Sequence, residues 1–85
     1  MHAVVVKVTI DDPESSVKML REEVVPQTAQ APGFVTGYWT RKDNSGLATI
    51  IFESEEAAQG MSEQVRGTEG VTIDDVQVRE VVAHA

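Results

Sequence analysis

The chain has 85 residues, no cysteine and a net charge of −7 at pH 7. A chain of that length makes one domain, residues 1–85, that removes only roughly 60–65% of its unfolded surface from water, and without cysteine it has neither disulfides nor thiolate zinc sites to hold it. The acid excess and the scattered Lys and Arg argue against nucleic acid, and no apolar run approaches the ~20 residues of a membrane span.

The first strand reads from His2 to Ile10. Val4, Val6, Val8 and Ile10 fall on one face and Ala3, Val5, Lys7 and Thr9 on the other, the period-2 pattern of a strand with one fully apolar side. His2 and Ala3 run directly into Val4–Val6 without the parts of a signal peptide, so a cytoplasmic location is expected. Asp12 is suited to cap a helix that opens at Pro13, and Glu14 adds favourable charge to its first turn. Val17, Leu20, Val24 and Thr28 form its apolar stripe to about Ala29. Pro26 lacks a donor and crowds the preceding turn, which predicts a kink or a looser last turn. Ala31, Pro32 and Gly33 end the element.

Phe34 to Arg41 reads as a second strand, the cluster Asp43, Asn44, Ser45 and Gly46 as a turn, and Leu47 to Glu53 as a third strand. A loop of even length sets Arg41 against Ala48, Trp39 against Ile50 and Gly37 against Phe52; an odd loop inverts the faces. Ser54 is a good N-cap for a second helix with Glu55 and Glu56 in its first turn, a buried stripe of Ala57, Ala58, Met61 and Val65, and Gly67 and Gly70 at its end. The last strand holds Ile73, Val76, Val78, Val81 and Val82, with a change of phase between Val78 and Val81 that suggests a bulge.

The order βαββαβ predicts an α+β, ferredoxin-like fold: a four-stranded antiparallel sheet in the order 4-1-3-2 with two helices on one face. The third strand is apolar on both sides, with Leu47 and Ile51 on one and Ala48, Ile50 and Phe52 on the other, and the last strand reads as two-sided too. Two helices cover only one face, so a second copy packed sheet against sheet is expected.

Ala31-Pro32-Gly33-Phe34, Ile51-Phe52-Glu53, Ser54-Glu55-Glu56-Ala57-Ala58 and Glu80-Val81-Val82-Ala83-His84 together resemble the antibiotic biosynthesis monooxygenase domain of the dimeric α/β-barrel superfamily. The resemblance covers nearly the whole chain and implies a homodimer with a ligand pocket in each subunit, between the sheet and its own helices. It also implies a range of activities, from cofactor-independent oxygenation of polycyclic phenols to haem degradation. Haem-degrading members carry a Trp just before the acidic helix start, a His on the second helix and an Asn on the first strand. Here Phe52 stands in the first place, and the other two residues are missing. No cofactor is therefore expected, and the reading is a cofactor-independent monooxygenase acting on an aromatic or polyketide-type substrate. The alternative is a non-catalytic dimeric module that binds a ligand or stabilises a pathway partner.

Val6, Gly37, Trp39 and Phe52 are the candidate pocket residues, with Gly37 leaving space opposite Phe52; packing in the core or the dimer contact is the competing role for Trp39. Arg41, on the side of Trp39, can meet an anionic ligand, although a solvated charge is the commoner role of a strand-end arginine. Tyr38 faces the other way. His2 and His84, at one end of neighbouring strands, make a weak two-His metal pair, for which frayed termini are the commoner reading. Asp74 and Asp75, adjacent on a strand, face opposite ways.

Overall fold

The structure is a computed structural model that describes residues 1–65 and 71–85. Gly67 and Gly70 lie outside the described residues. Four strands, β1 (His2–Ile10), β2 (Phe34–Lys42), β3 (Ser45–Phe52) and β4 (Val71–Glu80), form one antiparallel sheet in the order β2-β3-β1-β4. A first helical arm comprises α1 (Pro13–Met19), a wide π-helical segment (Leu20–Val24) and α2 (Val25–Ala29), and a second helix, α3, spans Glu55–Gln64. This is the expected ferredoxin-like arrangement.

The core sits between the sheet and α3. Val4, Val6, Ile50, Phe52 and Ala58 form its buried centre, and the rings of Phe34 and Phe52 meet edge to face with centroids 6.2 Å apart. The hydroxyl oxygen of Ser54 accepts a hydrogen bond from the Ala57 amide at 3.1 Å, which caps α3 and turns Ala57 and Ala58 onto the sheet. Among the described residues Gly33 is the one glycine with positive φ, at 79°, and a Cβ there would come within 2.8 Å of the Ala57 Cβ. A side chain there would be strained and would crowd Ala57. The Gly33 carbonyl accepts from the Glu53 amide at 2.8 Å and ties the exit of the first arm to the end of β3.

Three expectations are corrected. The loop is even, as one reading required, but it contains only Asp43 and Asn44, with Asp43 at φ 55°. Inward faces are therefore as expected while the register is two residues tighter: Trp39 opposes Ala48, Gly37 opposes Ile50, and Phe34 opposes Phe52. The bulge in the last strand falls at Asp74, where the pairing passes from Val8–Ile73 to Lys7–Asp75. That extra residue lets Ile73 and Val76, three apart, both face the core. It also brings both carboxylates to the outer face, where Asp74 accepts from the Thr9 hydroxyl at 2.7 Å and Asp75 accepts from the Gln77 amide at 2.8 Å. Finally, β4 ends at Glu80, and its outer face carries Thr72, Asp75, Gln77 and Arg79. Apolar character on both faces belongs to β1 and β3 and not to β4.

The effect of Pro26 appears one turn earlier than a loosened helix end. Pro26 has no N–H, and its ring crowds the carbonyl of Glu22, four residues back. The chain widens ahead of it, the Val25 amide donating to the Leu20 carbonyl five residues back. No residue of this π segment is buried.

Candidate functional site

The two helical layers lie differently on the sheet. The α3 helix packs on β1, β3 and β4, whereas the first arm reaches the sheet mainly through α2 on β2. Val17, Leu20 and Val24, which read as a core stripe, are only half-buried and take no part in the core cluster. Beneath them lies a cleft of about 1180 Å³, larger than the roughly 300–1,000 Å³ of common small-molecule sites. Its floor is the inward face of the sheet, including Val6, Val8, Trp39, Ala48 and Ile50, and its roof is the arm with Val17, Met19, Leu20 and Val24. Met61 and Val65 of the second helical layer close one side. A smaller depression of about 220 Å³, over Gly60, shares Ala31, Pro32, Met61 and Gln64 with the cleft.

Of the four candidate pocket residues, Val6 and Trp39 border this cleft and Gly37 and Phe52 do not. Phe52 is fully buried in the core. The space over Gly37 is filled: a Cβ there would lie 2.9 Å from the Trp39 Cη2. The indole therefore folds back along its own strand, and the missing side chain at Gly37 gives it room. Gly37 shapes the cleft at second hand by setting the Trp39 ring.

Arg41 borders the cleft as anticipated, and Arg21, which the sequence did not single out, borders it from the π segment. Met19, Leu20 and Arg21 are consecutive and all line the cleft. The proline that widens the helix was the available signal for that residue.

The polar side chains that line the cleft among the described residues are Asp12, Ser15, Arg21, Gln27, Thr28, Gln30, Thr40, Arg41 and Gln64. None is a His, Tyr or Asn. The Asp12 carboxylate is engaged at the helix start, accepting from the Ser15 hydroxyl at 2.9 Å and, at a longer 3.4 Å, from its amide. For iron the described lining residues offer no imidazole, thiolate or phenolate, only the thioethers of Met19 and Met61 beside the already engaged Asp12 carboxylate. These residues do not fit haem.

Other candidates lie elsewhere. Tyr38 projects from the outer face and is 65% exposed. The His2 Nε2 lies 3.4 Å from a Glu55 carboxylate oxygen at the start of α3, and His84 is in the exposed segment past β4. Among the described residues no three His, Cys, Asp or Glu side chains cluster as a metal site, and no helix is long and apolar enough to cross a membrane.

No family model matches the sequence, and no curated protein matches it. Among solved structures, it is similar to the haem degrader MhuD from Mycobacterium tuberculosis, whose structure has two haems bound in the active site. The match covers 96% of this chain and 98% of that one, with a TM-score of 0.56 and 19% identity. At that identity the likeness is one of fold, and the chain shares the four-stranded, two-layer ferredoxin-like fold of that enzyme.

Proposed function

We propose that this protein is a small-molecule-binding domain of the antibiotic biosynthesis monooxygenase type, with an apolar or aromatic ligand held between the sheet and the first helical arm. The observation that carries this reading is the cleft itself. Val17, Leu20 and Val24 face an apolar floor that they do not touch closely enough to be buried, so an apolar ligand gains the contacts that the arm lacks. The fold neighbour MhuD holds its haems in an active site, which supports a ligand site in this fold. The donor set here does not suit haem, so the ligand in this reading is a metal-free organic molecule.

Binding is favoured over turnover. Oxygenation through a substrate carbanion needs a proton acceptor beside the substrate, and among the described residues the only carboxylate lining the cleft, that of Asp12, is committed to the helix start. A cofactor-independent oxygenase on this scaffold would have to use a substrate acidic enough to ionise unaided.

Titration with the neutral fluorophore N-phenyl-1-naphthylamine tests the reading. Saturable binding at one site per chain is expected, with about a tenfold loss in Leu20→Glu, since burying a carboxylate against an apolar ligand is unfavourable. Absence of saturable binding would overturn it.

The proposal includes a homodimer built on the outer sheet face. Val35, Tyr38 and Leu47 are exposed there, beside half-buried Val5 and Ile51. Ile51→Asp should then yield monomers by light scattering with the fold intact, whereas Asp at Ile50, 4% exposed and inward-facing, should unfold the chain. A wild-type protein that is monomeric at micromolar concentration would refute the dimer.

A further inference from the structure

We infer that the cleft selects an apolar organic acid, a carboxylate or ionised phenol whose charge lies between Arg21 and Arg41; this rests on the ligand-binding reading above. Over the whole chain, acidic residues outnumber basic ones fourteen to seven. Around the cleft the balance is reversed: among the described residues the charged side chains lining it are Arg21, Arg41 and Asp12.

The Asp12 carboxylate is already engaged by the amide and hydroxyl of Ser15. Neither arginine has an ion pair or hydrogen-bond partner among the described residues. The two come from different layers, Arg21 from the π segment of the roof and Arg41 from β2 of the floor, and both line the cleft. Arg41 stands opposite Gly46, over which the side chains of Val8 and Ile10 complete the apolar floor.

An unpaired guanidinium at the border of an apolar cavity offers a bidentate site for a planar anion. In a protein whose overall charge repels anions, only locally placed cations make such a ligand preferred over its neutral counterpart. The apolar body then lies against Trp39, Val6 and Leu20, with its acid group at the rim.

The test pairs two fluorophores of similar ring structure, 8-anilinonaphthalene-1-sulfonate as the anion and N-phenyl-1-naphthylamine as the neutral form. The wild type should bind the anion more tightly, and this preference should shrink as salt rises. Arg21→Gln and Arg41→Gln should each weaken the anion about tenfold and leave the neutral probe unchanged. Arg79→Gln removes an equal charge from the outer face and should change neither. Equal affinities in the wild type, or the same loss in Arg79→Gln, would overturn the selectivity while the cleft reading stands. Binding of neither probe would overturn both. All three arginines are exposed, and unchanged circular dichroism melting will confirm that the variants are folded.

Discussion

The second helix and the first helical arm cover the same sheet face with similar apolar stripes and opposite results. In α3 the stripe begins with two small residues, Ala57 and Ala58, so the helix backbone comes close there and Ala58 is fully buried over Phe52 and Val4. In the arm the stripe is made of Val17, Leu20 and Val24, and the π turn and Pro26 keep the helix from settling onto the sheet. A well-capped helix with small contact residues builds the core. A proline-widened helix with larger ones leaves a space, and the space has the chemistry of a ligand site.

The sharpest way to break this comparison is to truncate one residue in each region. Phe52→Ala, which removes a fully buried ring, should cost about 3–5 kcal/mol. Leu20→Ala, which truncates a half-buried side chain over the cleft, should cost only about 0.5–1 kcal/mol. Urea unfolding checks both. Similar losses would mean that the arm is packed as firmly as α3 and that no cleft persists in solution.

A smaller effect sharpens the description of the floor. Gly37→Val puts a side chain where the Trp39 ring lies, 2.9 Å from the missing Cβ. The ring must swing away, with an expected loss of about 1–3 kcal/mol and a changed tryptophan emission spectrum. Since the chain has one Trp, that spectrum reports the ring alone. An unchanged spectrum would contradict the placement of the indole.

Strand identity, sheet order and inward faces were legible because each rests on period-2 alternation, which survives an error of two residues in register. The register itself was not legible. Even loops of different length give the same faces, and only the left-handed Asp43 in a two-residue turn decides between them. The bulge was visible in the spacing of Ile73 and Val76, but Val81 and Val82, which lie past the end of β4, drew attention away from it. The cleft was hidden for a different reason. A stripe of Val17, Leu20 and Val24 looks the same in sequence whether it packs on a sheet or stands above it, because hydrophobic periodicity reports direction and not distance. Gly37 was misplaced on the same ground: sequence shows a missing side chain, and only the fold shows which neighbour fills the gap.

Methyl and indole nuclear magnetic resonance during titration with 8-anilinonaphthalene-1-sulfonate tests the central claim, that the ligand site is the cleft under the first arm. The account predicts that the largest saturable shifts fall on Val6, Val8, Val17, Leu20, Val24 and the Trp39 indole, which line it. Shifts confined to Val5 and Ile51 on the outer sheet face, with the arm unperturbed, would contradict it.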